Sequence, residues 1–141
     1  MRLTLLAVAA LALAACEPAH NASDDLDGRW DVQEIAGASL GQGVDVWLEL
    51  DTGQGVVSGF SGCNAFSAPL STFSDSLSIG AISEQQAECP SAEAATDEAR
   101  LLAVLPNVQR HIRRGASLEL LPAQQGSEAL LKLRLAEPAA D

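Results

Sequence analysis

The chain has 141 residues and a mass of 14.6 kDa, room for one domain and one modest core. Eight Lys and Arg stand against 19 Asp and Glu, a formal charge of −11. That balance gives no electrostatic footprint for nucleic acid and disfavours adsorption of the protein surface on an anionic membrane. Alanine inflates the 48 % hydrophobic content and only 4 % is aromatic, yet Val, Ile and Leu recur throughout, which excludes a disordered composition.

The chain opens Met1-Arg2 and then runs almost wholly apolar from Leu3 to Ala15. One cation before about a dozen apolar residues is the pattern of a secretory leader, too short to remain as a membrane span. The run ends Leu13-Ala14-Ala15-Cys16, which resembles the bacterial lipobox. The resemblance implies cleavage after residue 15 and lipidation of Cys16, a diacylglyceryl thioether plus an acyl group such as palmitate on the new amino terminus. The competing reading is an ordinary leader cut near Ala15, which leaves a soluble periplasmic protein. Glu17, rather than Asp, after the Cys favours the outer membrane by the same resemblance, with the domain in the periplasm. Residues 16–27 then form the lipidated Cys and a polar tether. The sequon match Asn21-Ala22-Ser23 is a coincidence in such a setting.

From residue 28 to 136 the pattern is that of one β-rich domain, followed by a tail over 137–141. Trp30 and Val32 mark a strand over residues 29–35. Val44, Val46, Leu48 and Leu50 alternate with Asp45, Trp47, Glu49 and Asp51, a period of two with one apolar face. Thr52-Gly53-Gln54-Gly55 makes the turn of a hairpin that returns over Val56–Phe60. Leu77, Ile79 and Ala81 alternate again. Ser91 caps a helix with Glu93, Asp97 and Glu98 early in it, where the helix dipole favours acids. Leu101, Leu102, Val104 and Leu105 form its apolar stripe, and Pro106 ends it. Residues 108–113, 117–121 and 128–135 complete the strands. The expected fold is mainly β (α+β), a compact antiparallel barrel or rolled sheet of about seven or eight strands with one packed helix.

The densest run is Ser58-Gly59-Phe60-Ser61-Gly62-Cys63-Asn64-Ala65-Phe66, followed by Cys89-Pro90 and then Glu98 with Leu101, Leu102 and Leu105. This arrangement resembles the META domain of the HslJ-like envelope proteins. Gly59, Ser61, Gly62, Cys63, Asn64 and Phe66 carry the signature, and Gly28-Arg29-Trp30 fits the family's opening strand. Departures occur at Gln85-Gln86-Ala87-Glu88, where the family commonly has Thr and Met, and at Ser67-Ala68-Pro69, where Gly and Tyr are usual. The resemblance implies an envelope or stress-associated role without an established biochemical activity.

In an oxidising compartment Cys63 and Cys89 most simply form a disulfide. Closing a loop of about 27 residues stabilises by roughly 3–4 kcal/mol. The alternative is a reactive thiolate with Asn64 and His111, but no local cations lower the thiol pKa. Gly59-Phe60-Ser61-Gly62-Cys63 approaches a nucleophile elbow yet lacks the final Gly and the strand-to-helix context, so the glycines read as a bend or bulge. No catalytic set, cofactor or metal is expected: His20 lies in the tether, His111 is isolated, and Asp24, Asp25 and Asp27 read as a solvated charge run. Arg110, Arg113 and Arg114 are the one cation cluster, the polar side of a strand or a grip on an acidic protein partner. Trp47 either packs on the second face of the sheet or anchors a partner. The expectation is a non-catalytic outer-membrane lipoprotein, a structural or interaction module tied to the membrane through its lipid. The alternatives are a periplasmic inhibitor of a lysozyme or protease and a carrier of a small apolar ligand.

Overall fold

The computed structural model describes residues 26–138. The leader, Cys16, His20, Asp24, Asp25 and the rest of the tether before residue 26 lie outside the described residues, as do residues 139–141. The elements run β1 (Gly28–Ile35), β2 (Ala38–Ser39), β3 (Trp47–Asp51), β4 (Val56–Phe60), β5 (Ala65–Phe73), β6 (Ser76–Ile79), β7 (Ser83–Glu84), α1 (Ala92–Val104), β8 (Arg110–Arg114), β9 (Ser117–Leu121) and β10 (Leu131–Leu135). Hydrogen bonding follows β1–β3–β4–β5–β6–β8–β9–β10 and returns to β1. Eight antiparallel strands therefore close into a barrel, while two-residue β2 and β7 flank β1 and β5.

Strict alternation sets which side chains fill the barrel. Leu48 and Leu50 on β3, Phe66, Ala68 and Leu70 on β5, Leu118 and Leu120 on β9, and Leu131 and Leu133 on β10 all point inward and are buried. On β1 the register slips between Val32 and Glu34 opposite β10. This bulge lets Trp30, Val32 and then Ile35, three positions on, all face the core. Trp30 is fully buried and its indole Nε1–H donates to the Leu26 carbonyl at 2.8 Å, as a buried indole requires.

Several expected boundaries move. The strand expected from Val44 begins at Trp47; the preceding loop still buries Val46, whose carbonyl accepts from the Val32 N–H at 2.9 Å. Ala81 falls beyond β6, residues 128–130 precede β10, and β8 starts at Arg110. The longest strand, β5, was not among the expected elements. Pro69 sits in it opposite Gly80, immediately past the end of β6. There the Gly80 N–H donates to the Pro69 carbonyl at 2.8 Å, and the bond proline cannot return falls where the β6 ladder has ended.

Helix α1 starts as expected: Ser91 is its N-cap, with Oγ accepting from the Ala94 N–H at 3.1 Å. It closes the barrel end at which β1 finishes and the β4–β5 turn lies. Leu101 and Leu105 are fully buried there, and a single 3-10 turn over Leu105–Asn107, carrying Pro106, ends it.

Candidate functional site

The signature run folds into the corner between β4 and β5. Gly59 lies opposite both Leu48 and Phe66, and a Cβ on it would stand 2.3 Å from the Trp47 carbonyl oxygen and 2.8 Å from the Phe66 ring. Only glycine lets three strands approach this closely. Ser61 and Asn64 then close a turn, the Ser61 N–H donating to the Asn64 carbonyl at 2.9 Å, with Gly62 at φ +96° between them. The Ser61 hydroxyl is fully buried. It accepts from the N–H groups of Asn64 at 2.9 Å and Cys63 at 3.3 Å, and it donates to Glu98 Oε2 on α1. Asn64 donates through Nδ2 to Glu98 Oε2 at 2.9 Å, and its Oδ1 accepts from the Ala87 N–H at 2.7 Å. Glu98 thus ties the corner to the helix, and Asn64 ties it to the segment leading into Cys89.

A disulfide joins Cys63 to Cys89, with Cα atoms 4.7 Å apart. Cys89 Sγ lies 3.9 Å from Glu98 Oε1, so bridge and polar cluster form one knot. Cys63, Cys89 and Glu98 bring potential ligand atoms within 4.8 Å of one another. With the two sulfurs bonded to each other neither is a thiolate, and the grouping does not act as a metal set. The bond likewise removes the nucleophile from the Cys-His-Asn reading.

The META domain family matches residues 24–134, most of the chain, with this corner inside the match. The chain belongs to the META domain family. Two solved structures share the fold. An NMR structure of a protein from Burkholderia xenovorans is 22 % identical with a TM-score of 0.63, covering 96 % of this chain and 99 % of the other. A second NMR structure is 16 % identical with a TM-score of 0.61, covering 80 % of this chain and 93 % of the other. No curated protein sequence matches the chain.

The META domain carries a second clamp that motif reasoning missed. Asp97, 2 % exposed, accepts from the Gly41 N–H at 2.7 Å and pairs with Arg100 at 3.0 Å. Arg100 in turn donates to the carbonyls of Ile35 and Ala38. The sequence placed Asp97 among the dipole-favouring acids of the first turns, but its side chain points inward to the β1–β2 region. The available signal was the i, i+3 spacing of Asp97 and Arg100, which puts an ion pair on one helix face.

His111 is not at the corner. It faces inward on β8 opposite Leu120, and its backbone N–H donates to the Asp75 carbonyl at 2.9 Å. Burial pushes its pKa below the usual value, offset in part by Asp75, and its Nδ1 is buried without a partner. The arginines do not form one patch. Arg113 shares the inward register of His111 and sets its guanidinium over the Trp30 ring at 5.1 Å, whereas Arg110 and Arg114 face outward. Arg114 lies 3.6 Å from Glu119. Alternation along one strand imposes that split. Trp47 is half-buried on the outside with Arg29 over its ring at 4.4 Å. Elsewhere an open cleft of about 490 Å³ is lined by Glu34, Glu119, Glu128 and Lys132. Lys132 Nζ lies 3.1 Å from Glu34, whose hydrogen bond raises the lysine pKa.

Proposed function

We propose that this META-domain protein is a lipoprotein of the bacterial envelope, anchored through Cys16 and held in the outer membrane with its domain in the periplasm. Its domain works without catalysis, as a structural or protein-interaction module in an envelope or stress-associated role. The single observation that carries the non-catalytic reading is the closure of the signature corner on itself. The Ser61 hydroxyl, the Asn64 amide and the Glu98 carboxylate are hydrogen-bonded to one another or to backbone, and Ser61 is fully buried. A nucleophile or general base needs a lone pair facing a substrate, and these groups present theirs to each other. Support for the anchor comes from the order of apolar run, small residues and Cys in Leu13-Ala14-Ala15-Cys16. A barrel filled by Trp30, Leu48, Phe66 and Leu120 favours this reading over the apolar-ligand carrier.

The test is the intact mass of membrane-extracted protein, alkylated without reduction. The expected species begins at Cys16, carries the mass of the acyl groups and takes up no alkylating agent. Unmodified protein in the soluble periplasm overturns the anchor. Alkylation at Cys63 and Cys89 removes the bridge from the native protein and reopens thiol chemistry.

A further inference from the structure

We propose that the barrel end at which the chain enters rests on the bilayer, with Phe73 at the tip of the β5–β6 hairpin set among the lipid headgroups. The inference rests on the lipid anchor at Cys16 proposed above.

Register defines the two ends. Gly28 lies opposite Leu50, and Trp30 lies opposite Leu135. The start of β1 therefore shares one end with the β3–β4 turn, the β5–β6 turn and the β8–β9 turn, while α1 closes the other. Among the described residues the exposed large hydrophobics are Phe73, 83 % exposed, and Val56, 39 % exposed. Both belong to the entry end, on the outward register of the β4–β5 pair. A phenylalanine at a hairpin tip, with Ser74 at φ +54° completing the turn, contributes nothing to the barrel interior. Ser76 pairs with Phe73 on one side and Arg110 on the other, and Arg114 lies at the neighbouring tip, 72 % exposed by side chain. An exposed aromatic ring on one hairpin tip with the exposed Arg114 guanidinium on the next suits the headgroup region of a leaflet containing anionic lipid. Asp75 on the same turn, and Asp27 and Asp51 beside the next one, offset much of that attraction. The opposite end presents the exposed carboxylates Glu88 and Glu93, beside and on α1.

Chain length supplies the remaining constraint. Residues 17–25 span at most about 30 Å when extended, so the lipid holds the entry end within one barrel's length of the bilayer. At that tether length the local concentration of the surface is high, and a weak contact is occupied that would be empty for free protein. The acidic remainder of the surface is repelled, which orients the domain with α1 away from the membrane.

The test uses full-length lipidated protein in vesicles of phosphatidylethanolamine with about a quarter phosphatidylglycerol, with and without bromine on the acyl chains. Phe73→Trp and Ala95→Trp, the latter at an exposed position on α1, are compared with the native protein, whose Trp30 and Trp47 set the background. The expected result is a blue-shifted Trp at residue 73 quenched by about half in brominated vesicles, as befits a ring about 5–10 Å inside the headgroup boundary. The Trp at residue 95 stays unquenched. Protein that floats with vesicles while residue 73 remains unquenched overturns the docking and leaves the anchor standing, as does equal quenching at both positions. Protein that neither floats nor carries lipid on Cys16 overturns both. With Cys16→Ser the domain is expected to stay in solution, and vesicle binding by that variant refutes the weak, tether-dependent contact.

Discussion

Replacing Glu98 with Ala separates the corner from the helix. The substitution removes the acceptor of two buried donors, the Ser61 hydroxyl and the Asn64 Nδ2–H. Ser61 is fully buried and Asn64 is 4 % exposed, so water reaches neither freely. A buried donor without a partner costs about 1–3 kcal/mol. Two of them, with some water entering from the half-buried side of Glu98, cost about 3 kcal/mol. At a urea slope of about 1.5 kcal/mol/M the unfolding midpoint falls by about 2 M, measured on oxidised protein. Glu98→Gln is gentler, because one amide oxygen at the Oε2 position keeps both bonds, while the charge is lost together with the second acceptor, Oε1, which takes the Asn64 Nδ2–H at 3.2 Å. Its expected cost is about 1 kcal/mol. A double-mutant cycle with Ser61→Ala isolates the hydroxyl–carboxylate pair, with an expected coupling of about 1.5–3 kcal/mol. A Glu98→Ala midpoint within about 0.5 M of the native one, below about 1 kcal/mol, refutes the argument that this carboxylate fastens corner to helix.

Removing both bridge cysteines, Cys63→Ala with Cys89→Ala, is expected to cost about 3.5 kcal/mol from the 26-residue separation, read by calorimetry against the oxidised native protein. Asp97→Ala strands the Gly41 N–H and frees Arg100, with an expected loss of about 2–3 kcal/mol in the same urea assay. Gly59→Ala forces a methyl into the Trp47 carbonyl and costs about 3 kcal/mol or more, whereas Gly53→Ala, whose Cβ would meet only Asp51 at 3.6 Å, stays within about 0.5 kcal/mol. His111 has a folded-state pKa depressed by burial, so between that value and its ordinary one the unfolded chain binds the extra proton. Its contribution is complete above the ordinary pKa and is lost as pH falls through the depressed one. His111→Leu is therefore expected to flatten the decline in stability on acidification below about pH 6.5, and an unchanged slope refutes that assignment.

The legible parts of the fold are short segments bounded by turns, and a clean period of two was not enough by itself, since Val44–Asp51 alternates throughout and its strand begins only at Trp47. Val56–Phe60 and Ser117–Leu121 agree with the structure to the residue, and Ser91 and Pro106 mark the helix ends through local capping chemistry. β5 was hidden for a physical reason. Phe66, Ala68 and Leu70 do alternate with Ser67 and Pro69, but a small Ala and a Pro weaken the signal, and only the ladder ending at Gly80 makes that proline harmless. At the site, the disulfide and the Gly-rich corner were readable from composition and motif. The partners of Glu98 and Asp97 were not, because both follow from how α1 lies across the barrel end, a packing that local pattern does not encode. Of the three arginines, Arg110 and Arg114 lie on the outer side of β8, as the polar-strand reading has it, while alternation turns Arg113 towards Trp30.

Closure of the barrel governs how this domain can be recognised. Among the described residues, with β1 bonded to β10, the eight barrel strands all have neighbours on both sides, β6 meeting β8 through the single pair Ser76–Arg110, and only the two-residue strands β2 and β7 flank the ladder. A partner that binds by lending or borrowing a strand therefore finds no long backbone template, and neither does a second copy seeking to aggregate through an edge. Specificity must be written in side chains and turn shapes, which can diverge freely while the ladder stays intact. In the periplasm proposed above, that property would keep the folded domain from promiscuous pairing with unfolded, strand-forming chains.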